Sequence, residues 1–164
     1  MGNTGTGTLE LDGTTSAAVV DKTNTSNVGS EIGYGTGGVG SVTVSGSQAV
    51  FNSVTGIHVG YSGTGTLTIT DGGAVNTVLI TQPSADWVGV AAGSNGTVSI
   101  SGAGSQYIST NNIFILGGAG NGTLNVTDGG LLSDAQAPVG FQSGGIGVAT
   151  VSGAGSQWVS SDYL

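Results

Sequence analysis

Leu67 and Ile69 alternate with Thr66, Thr68 and Thr70 in the stretch Gly65 to Val75, GTLTITDGGAV. A period of two sends the apolar side chains to one face of a strand and the hydroxyls to the other. The same pair of apolar positions recurs at Leu9/Leu11, Val42/Val44, Val98/Ile100, Leu124/Val126 and Ala149/Val151. The opposite positions are Thr8/Glu10, Ser41/Thr43, Thr97/Ser99, Thr123/Asn125 and Val148/Thr150. Each stretch is predicted to be a half-buried strand, with an aliphatic column inside and a Thr/Ser ladder outside. A shorter apolar stretch precedes most of them: Ile57-His58-Val59, Trp87-Val88, Ile113 to Leu116, and Val139. Another follows at Ala49-Val50-Phe51, Ala74-Val75, Tyr107-Ile108, Leu131-Leu132 and Trp158-Val159. No window shows a convincing 3.6-residue period, so helix content is predicted near zero.

The strands are copies. Gly147 to Ser160, GVATVSGAGSQWVS, repeats Gly96 to Ser109, GTVSISGAGSQYIS, and the GTLTITDGG version alternates with it. The glycines before the core strand are Gly7, Gly40, Gly65, Gly96, Gly122 and Gly147, spaced 33, 25, 31, 26 and 25 residues apart. A second glycine precedes each, at Gly2, Gly33, Gly60, Gly89, Gly117 and Gly140, with gaps that alternate strictly between 5 and 7. Repeats of this length with three short strands predict an all-β parallel β-helix (β-solenoid) of about six coils of roughly 25–30 residues, with alternating repeat types. Right-handed coiling is expected. Six coils at about 4.8 Å each give a rod of roughly 29 Å. An antiparallel sandwich also has strands between glycine turns, but it explains the copying and the 5/7 alternation poorly. The whole chain, 1–164, reads as one solenoid domain cut from a longer array.

Composition narrows the partners. Gly is 34 and Pro 2 of 164 residues, together below the roughly 25–30% that marks a low-complexity chain. Charged residues are 6% of the chain and the net charge is −8. Lys22 is the one Lys and there is no Arg, so no cationic surface exists to neutralise phosphates; nucleic acid and anionic membranes are poor partners, and neither nucleic-acid binding nor membrane insertion of this segment is expected. There are no cysteines. No run of 18 apolar residues predicts membrane insertion.

The motifs VGxSGTGTLTITDGG at Val59–Gly73 and VSGAGSQW at Val151–Trp158 resemble the repeats of type V secretion (autotransporter) passengers and of PEP-CTERM-associated surface proteins. The resemblance covers nearly the whole chain. It implies a bacterial β-helix that is extracellular or on the outer-membrane surface, its export signal lying outside this sequence. The second copy departs from the pattern: it lacks the Ala-Gly of the SGAGSQ turn and carries Ala49 where Tyr107 and Trp158 stand.

Candidate chemistry is sparse. Asp12, Asp71 and Asp128 sit at Asp-Gly turns, with Ser45, Ser101 and Ser152 at the matching place in the sister copies, next to turn glycines such as Gly102 and Gly153. A carboxylate column could hold Ca²⁺, but carboxylates on alternate coils are about 10 Å apart. That is too far for shared ligation by one cation. Turn chemistry explains them instead. Lys22 and His58 are the only candidates for acid–base or clamp work, with Asp21 beside Lys22 as a solvated pair and His58 an isolated outward residue. Neither supports catalysis, and no metal or cofactor is expected. Tyr34, Tyr61 and Phe141 follow the corner glycine and are the candidate ligand-facing aromatics, while Trp87, Tyr107 and Trp158 are placed in or over the core. Gln48, Gln106 and Gln157 read as one column of turn amides. The Thr/Ser ladder invites an ice-binding reading, which Glu10, Asn125 and Val148 interrupt; β-propensity explains it more simply. The chain is expected to be a non-enzymatic structural or adhesive segment of a surface or secreted protein. Its expected partners are flanking repeats or further copies stacked end to end. The second reading is a carbohydrate-binding module on the same scaffold, with host or environmental glycans as partner.

Overall fold

The computed structural model describes residues 1–13, 29–78 and 85–164 in full and 17–20 as a backbone strand; Asp21 and Lys22 lie outside the described residues. Sixteen strands form three sheets and no helix appears among the described residues. The first sheet takes Thr6–Asp12, Val39–Ser45, Thr64–Thr70, Asn95–Ser101, Asn121–Thr127 and Ile146–Ser152 in that order. The second takes Ala17–Val20, Ala49–Ser53, Ala74–Val78, Gln106–Thr110, Leu131–Gln136 and Gln157–Tyr163. The third takes Ser30–Ile32, Ile57–Val59, Asp86–Val88 and Phe114–Leu116. Every pairing is parallel, and the chain visits the three sheets in turn, an arrangement consistent with a β-solenoid.

Register follows the repeat. Ile69 pairs with Val44 on one side and Ile100 on the other, and Leu67 with Val42 and Val98. All six are fully buried. Removing a side chain of this size from water contributes about 1.5–3 kcal/mol. The opposite wall is Ile32, Val59, Val88 and Leu116 from the third sheet, with Phe51, Val75, Tyr107 and Leu132 from the second. The outer positions Ser41/Thr43, Thr66/Thr68, Thr97/Ser99 and Thr123/Asn125 are all half-buried.

The terminal strands differ from the expected core. Ala149 and Val151 continue the inward columns of Leu124 and Val126 in register, yet Ala149 is exposed and Val151 is 44% exposed. The strand Ile146–Ser152 has a neighbour on one side only, so half of the packing that buries Leu124 is missing. Leu9, in the first strand, is half-buried for the same reason, while Leu11 is buried.

The glycine pairs make the corner between the third and first sheets. Gly60 has φ +71°, and a Cβ there would lie 2.3 Å from the carbonyl oxygen of Asn95; one on Gly65 would lie 2.2 Å from the nitrogen of Gly60. Only a residue without a side chain lets the backbone double back this tightly. The 5/7 alternation is also explained. Each long corner contains one extra tight turn: Gly38 donates to Gly35, Ser94 to Ala91 and Gly145 to Gln142. That turn absorbs the two additional residues, and the strands beyond it realign at Val39, Thr64, Asn95, Asn121 and Ile146.

Candidate functional site

The two turn types interlock. Asp71 and Asp128 both take φ +54°, the left-handed region that Asp tolerates. Asp71 Oδ2 accepts from Ser45 Oγ of the preceding coil at 3.0 Å, and Asp128 Oδ2 from Ser101 Oγ at 3.4 Å. From the following coil, Ser105 Oγ accepts from the Gly72 N–H at 3.0 Å, and Ser156 Oγ from the Gly129 N–H at 3.1 Å. Each Asp-Gly-Gly turn is thus clasped between two Ser-type coils. The turns at Gly102 and Gly153 take φ +91° and +86°.

Three expected columns shift by the register. Asp12 pairs with Ser45, which also pairs with Thr70; Asp71 lies one residue further on, so Asp12 is not its equivalent. The first copy is one residue shorter before its turn, and Gly13 makes the backbone bond to Ser45 there instead. Gln106 and Val50 both pair with Ala74, so Gln48 stands in the turn and leaves the Gln column. Phe51, not Ala49, occupies the Tyr107 position, because Phe51 and Tyr107 both pair with Val75. Gln106 and Gln157 flank Leu131 in an open groove of about 210 Å³ on this turn face.

The aromatics form an outer strip at the other corner. Tyr34 and Tyr61 stack with centroids 5.3 Å apart, and Tyr61 stacks on His58 at 5.6 Å. Phe141 does not join that stack. With glycine at position 118, it reaches Trp87 edge-on at 5.8 Å. Trp87 therefore faces outward, half-buried, between Asp86 and Val88 of the core, whereas the sequence placed it with the core aromatics. Tyr107 is fully buried against Phe114, and Trp158 packs on the same ring. A sugar platform needs open ring faces. Tyr61 stacks on both Tyr34 and His58, whereas Tyr34 has the one stacking partner and is 42% exposed.

His58 is neither isolated nor exposed. Its ring is half-buried, and Nδ1 lies 4.0 Å from Glu31 Oε1, with neither atom hydrogen-bonded. Burial pulls the imidazole down to about 4, against a partial upward effect of its hydrogen bond to the Ala85 backbone. Burial likewise raises Glu31. The ring is neutral at neutral pH, so it contributes no positive charge to this face.

Sequence reasoning missed Asp86. It is fully buried on the inner side of the third sheet. Oδ1 accepts from the Ile57 N–H at 2.8 Å; Oδ2 accepts from Thr77 Oγ1 at 2.6 Å, Asn112 Nδ2 at 3.1 Å and Ser109 Oγ. Burial raises its pKa, and the hydrogen bonds from Ser109, Thr77, the Ile57 N–H and Tyr107 offset part of the rise. No basic side chain faces it among the described residues. Asp134 repeats the device nearer the rod end, accepting from Trp158 Nε1 at 2.7 Å and Ser160 Oγ at 2.5 Å. The signal for Asp134 and for the donors Thr77 and Ser109, though not for Asp86 itself, was readable: with Phe51, Val75, Tyr107 and Leu132 inward, Ser53, Thr77, Ser109 and Asp134 two residues on must also be inward. No group of three or more metal-ligating side chains converges among the described residues, and no helix there is long and apolar enough to cross a membrane.

Parallel sheets joined by glycine corners, with turns clasped coil to coil, define an all-β repeat protein whose notable features are structural bonds. Over 79 residues, 45% of the chain, it is 39% identical to the Adhesin BmaC autotransporter of Brucella suis biovar 1 (strain 1330), and the match spans 2% of that protein's length. No protein-family model matches the chain, and no solved structure matches it.

Proposed function

We propose that the chain is a non-enzymatic segment of a bacterial surface or secreted adhesive protein, a β-solenoid of about six right-handed coils that extends or presents the adhesive array. The observation that carries this reading is the partial likeness to an autotransporter adhesin. The in-register repeat supports it, because the outer faces carry short hydroxyl side chains and the buried carboxylates Asp86 and Asp134 are occupied with structural donors. Flanking repeats, or further copies stacked end to end, are its proposed partners. The stacked faces of Tyr34 and Tyr61 weigh against the glycan-module reading.

Beads coated with the purified chain are expected to adhere to cell or matrix surfaces, with no release of reducing ends from a polysaccharide panel. Turnover of any polysaccharide would overturn the non-enzymatic reading. Failure of the beads to adhere would remove the adhesive role from this segment. Glycan-array binding abolished by Tyr61→Ala would replace the scaffold reading with a carbohydrate-binding one.

A further inference from the structure

We propose that Asp71-Gly72 and Asp128-Gly129 are sites of spontaneous backbone rearrangement to isoaspartate, and that Ser residues of the neighbouring coils hold both sites closed. The chemistry needs no partner but water. An Asp followed by Gly is open to it because Gly has no side chain to block the approach. The Gly amide nitrogen attacks Cγ of the Asp side chain in its acid form. The N–Cγ bond forms, a C–O bond breaks, and the amide proton leaves with the hydroxyl as water. A second water opens the cyclic imide at either carbonyl. Opening at the former main-chain carbonyl routes the backbone through Cβ and Cγ, which is isoaspartate.

The turns require the residues that create the hazard. Asp71 and Asp128 stand at φ +54°, a conformation that Asp tolerates. Gly72 and Gly129 take φ +86° and +91°, and a Cβ on them would lie 3.2 Å from the Cα of Ser47 and of Ala103. A bulkier residue after the Asp would slow the attack, but it is strained here. The product is equally unwelcome. It inserts one more main-chain carbon between Thr64–Thr70 and Ala74–Val78, or between Asn121–Thr127 and Leu131–Gln136, strands that are paired in register on neighbouring coils.

The clasps hold the reacting atoms apart. Ser45 of the preceding coil donates to Asp71 Oδ2 at 3.0 Å, while the Gly72 N–H donates to Ser105 Oγ of the following coil at 3.0 Å. Asp128 and Gly129 are divided in the same way between Ser101 at 3.4 Å and Ser156 at 3.1 Å. Carboxyl and nitrogen are thus drawn to opposite neighbours along the rod. For attack, the Gly72 peptide must turn onto Cγ and release Ser105, which is 1% exposed. Ser156 is anchored in turn, donating to the Ser152 carbonyl oxygen at 2.6 Å. The third such pair, Asp12-Gly13, has its nitrogen bonded to the Ser45 carbonyl oxygen instead. The clasp therefore protects the covalent chain as well as packing it, whatever the segment does at a surface.

Incubating the full chain in heavy-oxygen water near neutral pH reads the reaction, because each imide opening leaves one heavy oxygen on the Asp or isoaspartate. Peptide mapping then gives the uptake at each site separately. The chain unfolded in urea should take up label at Asp71 and Asp128, and the folded parent should take up several-fold less at both. Ser105→Ala, and the milder Ser45→Ala, should raise uptake at Asp71 several-fold while Asp128 in the same molecules stays at the parent rate. Ser156→Ala should do the reverse. Uptake at Asp71 in the folded parent as fast as in urea would overturn the protection. Unchanged uptake at Asp71 in both Ser105→Ala and Ser45→Ala would overturn the role of the clasp, and so would a rise at both sites together in every variant, which marks general loosening of the fold.

Discussion

Asp86→Ala is expected to destabilise the chain by on the order of 3 kcal/mol or more. The substitution leaves the Ile57 N–H and the side chains of Thr77, Ser109 and Asn112 without their common acceptor. Each buried donor left unsatisfied costs about 1–3 kcal/mol. Thr77 and Ser109 recover part of this by bonding each other, since their hydroxyls are already 3.2 Å apart. Asp134→Ala provides the comparison. Its partners Trp158 and Ser160 are half-buried, so water can replace the carboxylate, and the expected cost is about 1 kcal/mol. Urea unfolding of both variants measures the difference. Equal midpoints would mean that the buried network carries no special weight.

Ile69→Asp is expected to cost several kcal/mol, because it puts an unpaired carboxylate into the fully buried aliphatic column between Val44 and Ile100. Thr68→Asp changes the adjacent residue on the outer side of the same strand and should stay within about 0.5 kcal/mol of the parent. The contrast separates burial from any general intolerance of this strand to charge. Equal melting temperatures for the two variants would contradict the assignment of faces.

The architecture was legible because each level of the sequence repeats the same instruction. Leu67 and Ile69 give the period, their copies give the register, and the glycine pairs mark where the chain must turn. The errors cluster at the turns. By register Val50 stands as far beyond Ser45 as Gln106 does beyond Ser101, so matching on the Ser-Gln motif, which assumes a shorter turn in the second copy, placed Gln48 with Gln106 and Ala49 with Tyr107, while hydrogen-bond register pairs otherwise. Asp12 fails because the first copy is one residue shorter before its turn. Asp86 was hidden differently. Its strand, Asp86–Val88, has three residues, too few for a period to show. Its acceptor role depends on Thr77, Ser109 and Asn112, which come from a neighbouring sheet and its turn, separated from it by 9, 23 and 26 residues. His58 looked isolated because its neighbours Glu31 and Tyr61 meet it through the coil stack and the corner. The clasp between turn types was visible as an alternation of Asp and Ser, but its meaning required the bonds from Ser45 and Ser105 to be seen on opposite sides of one turn.

Distances along a single outer column test the stacked parallel arrangement most directly. Glu10, Thr43, Thr68, Ser99, Asn125 and Thr150 lie in one register line. Spin labels can be placed on cysteines introduced pairwise at these outer positions. Labels at Glu10 and Thr150 should then be about 24 Å apart, at Thr43 and Thr150 about 19 Å, and at Thr68 and Thr150 about 14 Å, one strand spacing per step. A steady decrease in that order is the predicted result. Distances that fail to follow the order of the strands, such as Thr43 lying as far from Thr150 as Glu10 does, would contradict the stacked parallel fold.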